Sequence, residues 1–182
     1  PFMSSLLKLF ILVFYLACFS SVSAESPVRP GDRVAIVGNT YADQLRIHGY
    51  LETLLLQRSG DKPVSVRNLG WGGDLVHLRD RPTNFPSEAS TLASHKTDVI
   101  LICFGMGESF AGKAGLYDFR GHIKRFMSTH KGKQYNGESA VRIVLVSPIA
   151  HEDHGKLSRN RQQRNEDLAA YVGAMQQVAS AE

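Results

Sequence analysis

Four strand-like runs, three of them continuously apolar, constrain this chain more than any other feature. They are Arg33–Val37, Val64–Asn68, Asp98–Phe104 and Val141–Val146. The first three run into glycine turns and the fourth into Ser147-Pro148. Continuous runs, unlike alternating ones, belong to strands covered on both faces, as in a parallel sheet. Between and after them lie stretches with helical spacing. Tyr41–Arg58 carries Leu45, Ile47, Leu51, Leu54 and Leu55, and Gly115–His130 carries Leu116, Phe119, Ile123 and Phe126. Ser87–His95 and Asn160–Ala181 are the other two, the last with Leu168, Tyr171, Val172 and Met175. The alternation predicts an α/β fold: a three-layer domain with a doubly wound, parallel, flavodoxin-like sheet. Ligands bind such sheets outside the carboxyl ends of the strands. Residues 38–42, 70–74, 105–112 and 147–154 are therefore where chemistry is expected.

The amino-terminal segment reads differently. Lys8, an uncharged run from Leu9 to Phe19, and Val22-Ser23-Ala24 have the layout of a secretory signal peptide. Residues 1–24 are expected to be removed, 25–32 to form a short leader, and 33–182 to form the domain. The run is shorter than the roughly 18 residues of a spanning helix, and no later segment approaches that length. The expected location is secreted or periplasmic. Lipidation at Cys18 after Leu16-Ala17 is the alternative. Without Cys18 only Cys103 remains, inside the most apolar run, where it is expected to be a small buried hydrophobe. No internal disulfide is then available.

Composition excludes some function classes. The hydrophobic share of 43% and charged share of 21% are those of a globular chain. The formal charge of +4 drops by one with Lys8, and the remaining bases are mixed with acids, so no nucleic-acid stripe is expected. The arginine-rich stretch from Arg159 to Arg164 reads as a solvated helix start. No cofactor is expected: Gly38-Asn39-Thr40 is no phosphate loop, because no Gly-Lys-Ser/Thr follows.

At the strand ends, residue types suggest chemistry. Thr40 places a hydroxyl between a tight turn and a helix. It is either that helix's N-cap or a nucleophile near the positive helix end. Asn68-Leu69-Gly70-Trp71-Gly72-Gly73-Asp74 could aim backbone amides at a developing oxyanion, or be a flexible turn. Phe104-Gly105-Met106-Gly107-Glu108-Ser109 opens further amides and offers the Glu108 carboxylate. His151 is either a pocket group or a hydrogen-bonded loop residue, and with Asp153 and His154 a metal site is a third option. Trp71 reads as a plug over the sheet end rather than a substrate wall. Arg79 and Arg81 read as solvated loop charges, with anion binding as the alternative.

These blocks, in this order, resemble the SGNH (GDSL-like) hydrolases, over roughly residues 31–181. The wording is most similar to exported SGNH-type domains of planctomycete-like bacteria. The resemblance implies an ester hydrolase acting on an acyl ester of a carbohydrate or lipid, by hydroxyl attack assisted by an oxyanion hole. Thr40 falls at the nucleophilic serine, Asn39 at the aspartate, Gly73 at the oxyanion glycine and Gly107 at the oxyanion asparagine. Threonine carries an extra methyl, and Gly107 has no side-chain donor. The family's Asp-x-x-His block follows a fifth strand, and only four strands are expected here. The chain is therefore read as truncated, with further carboxyl-terminal domains conceivable in the full-length protein. The rival reading is a non-catalytic ligand-binding module of the same fold.

Overall fold

The computed structural model describes residues 26–158 and 160–182. The predicted signal peptide and Cys18 lie outside the described residues. The elements run β1 (Arg33–Gly38), α1 (Thr40–His48), α2 (Tyr50–Ser59), β2 (Ser65–Asn68), α3 (Glu88–Ser94) and β3 (Val99–Cys103). A 3₁₀ segment (Glu108–Gly115), α4 (Leu116–His130), β4 (Arg142–Leu145), a short 3₁₀ turn (Gly155–Leu157) and α5 (Arg161–Ala181) follow. The strands pair in parallel in the order β2-β1-β3-β4. The order reverses direction after β2, so the switch point lies between β1 and β3.

Both faces of β1 and β3 are apolar, as their continuous runs require, whereas the edge strand β2 alternates and leaves Ser65 and Arg67 exposed. Ala35, Val37, Ile100 and Ile102 point to one face and pack with Phe119, Ile123 and Phe126 of α4 and Tyr171, Met175 and Val178 of α5. Val34, Ile36, Val99, Leu101 and Cys103 point to the other and meet Ala42, Tyr41 and Leu45 of α1 and Leu51 of α2. Alternate residues of a strand face opposite ways, and here each way leads to a core. The expected leader also docks: Val28 packs on the second cluster and the Pro27 carbonyl accepts from Arg142.

One expected helix is two. Tyr41–Arg58 breaks at Gly49, which is left-handed (φ 65°) and serves as C-cap of α1 and N-cap of α2. A glycine adopts this conformation without the Cβ clash other residues meet. The axis turns there, so the predicted apolar face is divided. Leu45, Leu51 and Leu55 are partly buried, while Ile47 and Leu54 stand more than half exposed.

Two buried carboxylates tie the amino end of the sheet: Asp32 accepts from Arg142 of β4, and Asp98 joins β1 to the loop before β4. Asp98 accepts from the Arg33 backbone N–H and side chain and from Asn136 Nδ2. Burial alone would push this carboxyl up. The Arg33 and Asn136 hydrogen bonds outweigh burial and hold it at about 2, against an ordinary 3.8. A carboxyl depressed in the folded state contributes stability above its unfolded pKa and loses it as pH falls through the folded one. The pair is expected to contribute about 2–3 kcal/mol at neutral pH. Asp98→Asn should lower stability by that order in urea melts at pH 7. The gap to wild type should close between pH 4 and pH 2.

Candidate active site

The site is built where β1 meets α1. Gly38 ends β1 so close to β3 that a Cβ there would lie 2.4 Å from the Cys103 carbonyl oxygen. Asn39 follows, buried, donating its N–H to that same carbonyl (3.3 Å). Its Oδ1 accepts from the Tyr41 N–H at 3.1 Å. Asn39 is therefore the N-cap of α1, and the expectation that Thr40 might fill that place is corrected. Thr40 is the first helical residue and is exposed, which leaves its hydroxyl available at the positive end of α1.

The second loop is clamped onto α1 by Asn68, a residue whose role the sequence reading passed over. Asn68 Nδ2 donates to the Ala42 carbonyl (2.7 Å) and Oδ1 accepts from the Gly70 N–H (2.8 Å). Gly70 packs so tightly that a Cβ would lie 2.5 Å from the Asp43 nitrogen. The Trp71 N–H donates to the Gly38 carbonyl at 3.0 Å. This stitching carries Gly73, itself left-handed at φ 86°, to Thr40. The Gly73 N–H donates to Thr40 Oγ1 at 3.1 Å. Thr40, Asn39 and Gly73 are thus brought together by adjacent loops.

Gly107 brings no side-chain donor to the site and packs against Leu75. A Cβ built on it would meet Leu75 Cδ2 at 2.7 Å, so Leu75 occupies the space an asparagine side chain would need. Glu108, read as a pocket carboxylate, is buried instead. It accepts from the Val76 N–H and the Gly105 N–H, both at 2.8 Å, and so locks the third loop to the second.

His151 lies past β4 and is anchored by its backbone: its N–H donates to Asn165 Oδ1 (2.8 Å) and its carbonyl accepts from Asn165 Nδ2 (3.1 Å). Its Nε2 is buried without a hydrogen-bond partner, so it makes no bond to Thr40. Asp153 pairs with Arg161 and accepts from the Gly155 N–H. Among the described residues no three His, Cys, Asp or Glu side chains form a metal-holding group. An Asp-x-x-His does occur at Asp74–His77, in the loop after β2 rather than after a fifth strand. Its carboxylate is held by Arg81 and its imidazole stacks on His122 at 4.3 Å, so it forms no relay to Thr40.

Three expectations about the rim are corrected. Trp71 is no plug: it is 42% exposed and lines a cavity beside β2, between the Phe85 edge (5.6 Å) and the Arg81 guanidinium (4.8 Å). Arg79 and Arg81 are not solvated charges but half-buried partners of Glu88 and Asp74. Arg164 is likewise docked, donating to the Ser109 carbonyl and hydroxyl and lying 3.9 Å from the Phe110 ring centre. Cys103 is buried as expected, and burial pushes its thiol up to about 12. Iodoacetamide should leave it unmodified in the native chain and alkylate it in denaturant, by intact mass.

The chain is similar to a gut microbial diltiazem-metabolizing enzyme (22% identity, TM-score 0.58), over 86% of this chain and 36% of that one. It is similar to an acetyl xylan esterase from Geobacillus stearothermophilus (15%, TM-score 0.55), over 85% and 76%. It is also similar to a protein from Slackia heliotrinireducens assigned by inference to the SGNH hydrolases (16%, TM-score 0.50), over 83% and 75%.

The fold is that of the SGNH hydrolases. The expected three-layer sheet architecture agrees with these neighbours. The chain spans 36% of the length of the first of these proteins. No family model and no curated relative matches it. Among the described residues no helix is long and apolar enough to cross a membrane.

Proposed function

We propose that this SGNH-fold chain is an exported hydrolase of acyl esters of carbohydrates or lipids, secreted or periplasmic, with Thr40 as nucleophile. The observation that carries the reading is the Gly73 N–H held on Thr40 Oγ1 at 3.1 Å, at the amino end of α1. A hydroxyl in this place attacks an ester carbonyl; its proton passes to solvent water, since among the described residues no imidazole or carboxylate is bonded to Thr40, and solvent returns a proton to the leaving alcohol. The new C–O bond forms as the carbonyl π electrons move onto oxygen. Collapse expels the alcohol and leaves an acyl-threonine, which water cleaves to carboxylate and free Thr40. The Gly73 amide and the helix end stabilise the oxyanion. Two of the similar structures described above and a further acetyl xylan esterase are consistent with this class.

A second reading, a ligand-binding module without turnover, is favoured by two specific features. Leu75 stands against Gly107, which carries no side-chain donor, and among the described residues no imidazole is bonded to Thr40. One experiment separates the two. Incubate the purified chain with acetylated xylan and with 4-nitrophenyl acetate, and measure acetate release beside equilibrium binding of the same xylan. Release above the blank supports the hydrolase. Saturable binding with no release replaces it with the module.

A further inference from the structure

The cavity beside β2 has a volume of about 390 Å³, within the range of ~300–1,000 Å³ usual for small-molecule sites. Its wall is Trp71, kept in place by the Phe85 edge and the Arg81 guanidinium yet still 42% exposed. A fixed, partly exposed indole offers a flat apolar surface at little cost in conformational freedom. Three arginines line the same cavity: Arg67, Arg79 and Arg81. Two are matched by carboxylates, Arg79 by Glu88 and Arg81 by Asp74. Arg67, exposed on the edge strand β2, has no carboxylate partner among the described residues. The cavity therefore combines an apolar wall with one positive charge left without a counter-ion.

We propose that this cavity binds an acidic sugar, a pyranose ring carrying a carboxylate, with the ring's C–H face on Trp71 and the carboxylate on Arg67. The flat wall suits a saturated ring with an apolar face. A guanidinium left unpaired suits a carboxylate through paired N–H donors. Arg79 and Arg81, the arginines that the sequence singles out, are not the anion's partners. Their charges are spent on holding Glu88, Asp74 and the indole. The inference goes beyond the hydrolase reading, because binding here needs no turnover at Thr40.

Trp71 is the only tryptophan in the chain, so its fluorescence reports this cavity alone. The test titrates the full chain with a galacturonic acid trisaccharide, with neutral xylotriose and with sodium acetate. A saturable fluorescence change is expected for the acidic trisaccharide, with the neutral sugar binding about tenfold or more weakly and acetate producing none. Added salt should weaken only the acidic ligand. Arg67→Gln should bring the affinity for the acidic trisaccharide down to that for xylotriose, with far-UV circular dichroism matching wild type because the residue is exposed. No saturable change, equal affinities for the two sugars, a response to acetate alike, or a preference that survives Arg67→Gln would each overturn the proposal. Because the readout is binding, such a failure leaves ester hydrolysis standing, and loss of hydrolysis leaves this site standing.

Discussion

Thr40→Ala is expected to lower kcat/KM for ester hydrolysis by at least ~10³-fold, the order seen when a nucleophile is removed and only binding and oxyanion contacts remain. The substitution deletes Oγ1 and leaves the loop intact, since Asn39 rather than Thr40 caps α1 and Asn68 rather than Thr40 holds the second loop. Thr40 is exposed, so the Gly73 N–H that loses its acceptor is free to bond water. Stability should stay within about 0.5 kcal/mol of wild type. Thr40→Ser keeps the hydroxyl and sheds the methyl that limits its rotamers, so its rate should equal or exceed wild type. The order Ser at or above Thr, far above Ala, is the signature of a hydroxyl nucleophile. Equal rates for Thr40→Ala and wild type would remove Thr40 from the chemistry.

Gly38→Ala should have the largest effect on folding. The added Cβ would lie 2.4 Å from the Cys103 carbonyl oxygen and 2.9 Å from its carbon, both backbone atoms of the neighbouring strand. No rotamer relieves that contact. Val37 and Ile36, which would have to move with it, are 2% exposed and packed on opposite faces. A loss of roughly 4 kcal/mol or more is expected, a large part of the ~5–15 kcal/mol that holds a typical domain. Urea unfolding followed by circular dichroism should show a midpoint shifted far down or a chain unfolded without denaturant. Gly121→Ala is the control. It sits in α4 with nothing within 4 Å of its added Cβ, so the same exchange should raise stability by about 0.5–1 kcal/mol. If both variants melt alike, the close approach at Gly38 does not govern this fold.

Much of this fold was legible because apolar runs and helical spacing report burial directly. Val99–Cys103 is buried at every position, and Phe119, Ile123 and Phe126 of α4 all enter the core as their spacing implied. The block order placed Thr40, Asn39 and Gly73 at strand ends that the sheet does bring together. The spacing could not show the turn at Gly49, because a single glycine inside a periodic stretch is compatible with both a continuous and a broken helix. It could not separate Arg79 and Arg81 from solvated charges either. Their partners, Glu88 and Asp74, are set by how the loop folds back rather than by a local pattern. Asn68 was overlooked for the same reason: its partner at Ala42 is 26 residues away.

By itself the sequence determined a parallel α/β sheet and the strand ends at which a site would form. Burial of apolar periodicity is a property each segment carries locally, and parallel strands with covered faces follow from it. Only the tertiary structure decided that Asn39 caps α1, that Leu75 packs against Gly107, and that Arg67 lines its cavity without a carboxylate partner among the described residues. Those outcomes depend on which side chains from distant segments arrive at the same point, and on whether a Cβ or a counter-ion already occupies it.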